Sequence, residues 1–138
     1  MTNLKLIAAS FAAAALVAIP SVGAETQSSE EMTEGEAKLA KMLEGRVAGE
    51  PQSCIYAAPN LDIKVIDGTA LVYKSGRTLY VNVPHNARSL DDRDTMVRRT
   101  TFGNRWCNTD IITTVDRHVG HYTGNINLGK FVPYRKAS

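Results

Sequence analysis

Apolar residues change their period along this chain, and each period predicts a different element. Residues 6–20 (LIAASFAAAALVAIP) are almost continuously apolar. Residues 25–32 (ETQSSEEM) are polar and acidic with no periodicity, which suits a mobile leader. Ala37, Leu39, Ala40, Met42, Leu43 and Val47 then recur at helical spacing. Thr33 and Glu36 just ahead of them fit a capping box, and Glu34 and Lys38 form an i,i+4 pair of favourable order. The spacing predicts a helix over 34–46, ending near Gly49 and Pro51.

From Pro51 the pattern becomes that of strands. Asp62 to Lys74 (DIKVIDGTALVYK) reads as a hairpin. Asp67-Gly68 would close it as a two-residue turn with positive φ at both central positions. Ser75-Gly76-Arg77 turns the chain into a third strand, Thr78 to Val83, which Pro84 ends. Residues 84–94 (PHNARSLDDRD) form a polar loop. Thr95 to Phe102 and Trp106 to Val115 read as strands around a Gly103-Asn104 turn. His118 to Asn127 is a turn-rich connection, Leu128 to Tyr134 a last short strand, and residues 136–138 a frayed end. The fold class is therefore α+β, β-dominant. One N-terminal amphipathic helix packs on or beside a small antiparallel sheet or barrel of about six strands, with one disulfide.

The first apolar run changes what the rest means. A short n-region carrying Lys5, an h-region of about fifteen residues and Val22-Gly23-Ala24 make a cleavable export signal. The expected division is residues 1–24 as signal peptide, 25–32 as leader and 33–138 as one globular domain. The residue after the cut is Glu25, not Cys, so no lipid anchor is indicated. The run is shorter than the roughly 20 residues of a membrane span, and no stable membrane anchor is expected after cleavage. No twin-Arg precedes it, which favours the general secretory route. The expected location is the periplasm or the exterior.

Export decides the reading of the cysteines. Cys54 and Cys107 are the only two, in a compartment where disulfides persist. Their spacing is unlike a C-x-x-C redox motif, and no further soft ligand completes a metal set around them. A structural disulfide is favoured, closing a loop of roughly 53 residues worth about 4 kcal/mol on a chain-entropy estimate.

Charge adds less. The chain holds 16 Lys+Arg against 14 Asp+Glu. Residues 25–50 carry seven acids and three bases, residues 51–138 seven acids and twelve bases. A basic body behind an acidic arm is compatible with an anionic partner, and is also ordinary for a small domain.

Other constellations have bland readings that outweigh the sharp ones. His118 and His121, with Asp116 or Asp110, could hold a metal, but Gly120 and the following YTGN read as a solvated turn. Ser89 to Asp94 (SLDDRD) is acidic, yet it lacks cation-loop spacing and Arg93 opposes a cation. Arg88, Arg93, Arg98, Arg99 and Arg105 lie near Phe102 and Trp106, a nucleic-acid-like mixture that export and the neighbouring Asp residues argue against. Neither G-x-S-x-G nor a free thiol remains for nucleophilic catalysis. Phe131 to Tyr134 (FVPY) reads as a closing strand packed on the core, with an exposed partner contact as the other reading. No catalytic residue, metal site or cofactor is assigned.

GRVAGEPQSCI (45–55), IDGTA (66–70), LYVN (79–82), SLDDRD (89–94), CNTDI (107–111) and LGKFVPY (128–134) occur in this order. As an ordered set over roughly residues 39–135 they resemble a family of small exported proteobacterial proteins of unassigned function. The resemblance implies two cysteines at these two places, and it brings no catalytic residue, ligand or partner.

The functional expectation is a non-enzymatic exported binding or envelope-accessory module. Its partner would be an envelope protein or an anionic cell-wall polymer, and not nucleic acid. Two alternatives stand beside it: a periplasmic inhibitor of a hydrolase such as lysozyme, acting through a rigid loop at 84–94, and a small hydrolytic or metal-dependent enzyme using Asp and His groups.

The exported protein is expected to begin at Glu25 and to hold no free thiol. Intact mass, with thiol titration of the unfolded, unreduced chain, checks both. A stable product retaining residues 1–24 would mean an anchor, and two reactive thiols would remove the disulfide.

Overall fold

The computed structural model describes residues 31–99 and 103–138. The proposed signal, most of the leader and part of the 95–102 strand lie outside them. Thr33 caps helix α1 (Glu34–Met42) as its sequence requires: its hydroxyl accepts from the Glu36 amide, and the Glu36 carboxylate accepts from the Thr33 amide at 2.8 Å. Glu34 and Lys38 pair at 2.9 Å. The helix ends earlier than its apolar period predicts. Gly45 takes φ +70°, and Arg46–Ala48 instead forms strand β1, paired with the strand Phe131–Lys136 (β10). Pairing with a distant strand satisfies the backbone that a fourth helical turn would have satisfied locally.

The remaining strands are β2 (Cys54–Tyr56), β3 (Asp62–Ile66), β4 (Ala70–Ser75), β5 (Thr78–Asn82), β6 (Asp94–Arg99), β7 (Arg105–Cys107), β8 (Ile111–Asp116), β9 (Tyr122–Asn127) and β10 (Phe131–Lys136). Among the described residues they make three antiparallel sheets rather than one of about six strands. The orders are β1-β10-β5-β4-β3, β2-β7 and β6-β8-β9. The expected meander is present as β3-β4-β5. Its first turn differs from the expectation: three residues, Asp67 to Thr69, separate the paired Ile66 and Ala70, and only Gly68 has positive φ. Gly76-Arg77 is the two-residue turn between Ser75 and Thr78, with Gly76 at φ +57°.

Two more expectations need correction. Trp106 to Val115 is not one strand. It breaks after Cys107, where the Asp110 carboxylate accepts the Cys107 amide at 3.0 Å and turns the chain. The 118–127 connection is half strand: β9 pairs with β8, with an irregularity at Thr114/Val115 where Thr123, between the paired Tyr122 and Gly124, has no partner in the register. Its Gly and Asn content hid a strand whose buried contribution is Ile126 alone.

The five-stranded sheet separates two apolar clusters. Ala70, Leu71, Val72 and Tyr73 are all buried, because successive side chains of this strand point to opposite faces and both are covered. Ala70 and Val72, with Ile66, Leu79 and Val81, pack under Leu39, Met42 and Leu43 of the helix segment. Leu71 and Tyr73 face the second cluster, with Ile55, Leu90, Ile112, Ile126, Leu128 and Phe131. Trp106 and Phe131 meet Tyr73 edge-on at centroid distances of 5.2 and 5.3 Å. FVPY is thus core, as expected. Pro133 cannot donate, so the β1–β10 ladder stops beside it: Gly49 donates to its carbonyl at 2.7 Å with no bond returned.

Cys54 and Cys107 are bonded and directly opposed in the β2–β7 pair. Cys107 ends its strand rather than beginning it. A second long-range clasp is polar. Asn82, fully buried, donates to the Gly129 carbonyl (2.7 Å) and accepts from its amide (2.9 Å), copying a backbone pair.

Two buried polar groups should therefore respond oppositely to truncation. Asn82→Ala strands both Gly129 backbone groups and is expected to cost about 2–4 kcal/mol. The Tyr73 hydroxyl is buried with no partner among the described residues, and burial raises its pKa far above the usual value. Tyr73→Phe is expected to stay within about 1 kcal/mol of the parent or to stabilise it. Urea denaturation of both variants checks the contrast.

Candidate functional site

The 84–94 loop borders two of the depressions in the described surface. Pro84 ends β5, and a 3-10 turn at Ala87–Ser89 reverses the chain. Asn86 bridges to β9, donating to Asn125 O at 2.7 Å and accepting from the Asn127 amide at 2.9 Å. The His85 amide donates to Asn127 O at 2.9 Å. Leu90 is buried in the core, and its carbonyl accepts from the Gly68 amide at 3.0 Å. Asp67 accepts the Asp92 amide at 2.6 Å, Arg117 donates to Asp92 O at 3.0 Å, and Thr123 donates to Asp94 at 2.6 Å. The loop is therefore braced by the β3–β4 turn, the β8–β9 connection and β9 itself.

Helix α1 supplies the facing wall. A Cβ at Gly35 would collide with the Thr69 hydroxyl and the Asp67 carbonyl, so glycine lets the helix start approach the β3–β4 turn. Between helix and loop lies a groove of about 830 Å³. Leu39, Val83, Pro84 and Ala87 give it apolar surface, and Glu36, His85, Arg88 and Ser89 give it polar groups. Val83 is 55% exposed there. A depression of about 580 Å³ continues past Arg88 and Ser89 to Asp94, Asp116, His118 and Thr123.

The acidic residues at this end are engaged in structure. Asp67, Asp91 and Asp92 each bring an oxygen within 4.8 Å of the others. Both Asp91 oxygens face the Arg93 guanidinium at 2.6–3.2 Å, and Asp67 holds the Asp92 amide. Arg93 thus occupies the side a cation would need. It also holds the Asp91 carboxyl down at about 2. Asp116 accepts the His118 and Val119 amides at 2.8 and 2.9 Å, which lowers its pKa.

The structure does not assemble the other sequence candidates. His118 and His121 are exposed, and among the described residues no His joins a metal-compatible group. Asp110 is buried at the other end of β8 from Asp116, beside Arg98 and Cys107. The arginine–aromatic mixture disperses. Arg98 lies 4.3 Å from the Trp106 ring centroid, pairs with Asp110 at 3.5 Å and donates to the Arg105 and Gly103 carbonyls. That is a structural plug, and Arg93 is neutralised by Asp91. Phe102 lies outside the described residues.

The cations that do converge went unnoticed in the sequence. Arg46 of β1, Arg77 of the β4–β5 turn, and Arg135 and Lys136 of β10 line a cleft of about 550 Å³ with Gly76 and Thr78. Arg46, Arg77 and the Arg135-Lys136 pair are 31 to 90 residues apart in sequence; the register Arg46↔Lys136 and Tyr134↔Leu79 brings them together. The only local signal was the adjacent Arg135-Lys136.

No family model, curated protein or solved structure matches the chain. The class is set by the fold: a small β-dominant domain with one helix and one disulfide. The disulfide points to a non-reducing, extracytoplasmic environment. No helix among the described residues is long and apolar enough to cross a membrane.

A pH signature follows from the Asp91–Arg93 pair. The folded pKa is depressed, so the brace is fully present above the ordinary carboxylate value near 4 and is lost as pH falls through about 2. Carboxyl NMR of Asp91 should titrate near 2, and Arg93→Gln should return it towards 4. A midpoint near 4 in the parent would remove the pair.

Proposed function

We propose that this chain is an exported, non-enzymatic binding module of the periplasm or exterior, related to the small exported proteobacterial proteins its motifs resemble. Its ligand-binding surface is the groove between α1 and the 84–94 loop. One observation carries the reading: the groove wall is pre-formed. Seven backbone or side-chain bonds hold residues 85–94 to three other parts of the fold. A loop without such bracing would lose conformational entropy on binding; this one has already lost it in folding. The mixed apolar and polar lining suits a specific ligand. The compartment accounts for the disulfide, and an envelope component is the natural partner.

The same bracing supports a second reading, an inhibitor of a wall-degrading hydrolase that inserts the loop into an active-site cleft. His85, Arg88 and Ser89 are exposed on that loop. Such inhibitors act as rigid, pre-shaped inserts.

The oxidised exported chain and its Val83→Glu variant should be compared as baits in envelope extract, with muramidase inhibition measured in parallel. Val83 is exposed, so the variant is expected to fold. The groove reading requires a component retained by the parent and lost with V83E. Inhibition lost on Arg88→Glu, with V83E neutral, would favour the second reading. Equal retention by all three proteins would exclude the groove and the loop.

A further inference from the structure

The four-cation cleft lies at the opposite end of the five-stranded sheet from the groove. Strand β4 runs from the Asp67–Thr69 turn beside the groove to the Gly76-Arg77 turn beside the cleft, about 20 Å away. The groove end mixes acids and bases. Every charged residue lining the cleft is a cation.

Like charges gathered without counter-charge repel one another, so the arrangement needs a reason. Arg46 supplies one. It is half-buried, and its Nη1 donates to the carbonyls of Arg77 (2.9 Å) and Tyr134 (3.4 Å). Those bonds fix the guanidinium plane. Among the described residues its Nε and Nη2 make no hydrogen bond, and no carboxylate lies within 4.0 Å of Arg46, Arg77, Arg135 or Lys136. The Nε/Nη2 edge is a two-donor fork that fits an oxyanion bidentately. Holding Arg46 by carbonyls, rather than by an acid, leaves its full charge for a ligand.

We propose that this cleft is a phosphate-binding site, with Arg46 as the fixed fork and Arg77 and Lys136, which shares the Arg46 face of the sheet, closing around the group. A phosphate monoester carries close to two charges and three acceptor oxygens, and so engages several cations at once where one carboxylate would not. The phosphate is either a free small-molecule phosphate or part of a lipid headgroup. The proposal does not depend on the groove; a V83E variant should retain it.

The test uses the oxidised exported chain, with inorganic phosphate and pyrophosphate in one arm and vesicles in the other. Amide shifts of residues 46 and 76–78 are followed during titration at constant ionic strength, with chloride as control. Sedimentation compares phosphatidic acid, a monoester lipid, with phosphatidylcholine vesicles. Arg77 and Lys136 are exposed, so R77Q/K136Q should fold, as circular dichroism checks. Binding in the first arm that weakens about tenfold or more in that variant supports a free-phosphate site. Binding confined to phosphatidic acid vesicles, with the same loss, supports a headgroup site. Lys64→Gln, an exposed cation outside the cleft, should change neither. No binding in either arm, or equal loss on K64Q, overturns the proposal.

Discussion

The Cys54–Cys107 bond is the constraint from which the rest of the architecture follows. It joins two strands of three residues each, a pairing too short to persist alone in water. Once bonded, β2 and β7 present Ile55 and Trp106 in fixed register to Tyr73 and Phe131 of the large sheet. Immediately after Cys107, Asp110 turns the chain into β8 and so into the third sheet. The small ribbon is therefore the joint at which both larger sheets share one apolar cluster. Arg98 completes it from the third sheet, stacked on Trp106 and paired with Asp110, whose side chain is only 4% exposed. A charge buried to that degree persists because it is paired and hydrogen-bonded.

That joint also explains how the surface is divided. With the sheets fixed to one another, the two ends of β4 become two separate environments. At one, α1 and the 84–94 loop meet over a braced groove of mixed polarity. At the other, three strand ends leave four cations around a cleft. Arginine serves differently in each place. Arg98 is paired with a buried carboxylate and Arg93 with a surface one, whereas Arg46 is positioned by carbonyls and keeps its charge available. Proximity in sequence is no guide to which of these an arginine will do.

What the sequence by itself determined is what nearest neighbours decide. The Thr33–Glu36 capping box, the Ser75-Gly76-Arg77 turn and the closing FVPY strand all rest on contacts or alternations within a few residues. The cysteine pairing was legible for another reason: two thiols in an oxidising compartment have one possible partner each. Tertiary structure alone decided the rest. Helix α1 stops early because β10 offers Arg46–Ala48 a ladder. The strand after Trp106 breaks because Asp110 caps Cys107. Tyr122–Asn127 becomes a strand because β8 offers it pairing, despite its glycine and asparagines. The groove and the cationic cleft belong to this second group, since strand register sets which distant residues become neighbours, and register is fixed only when whole faces are buried together.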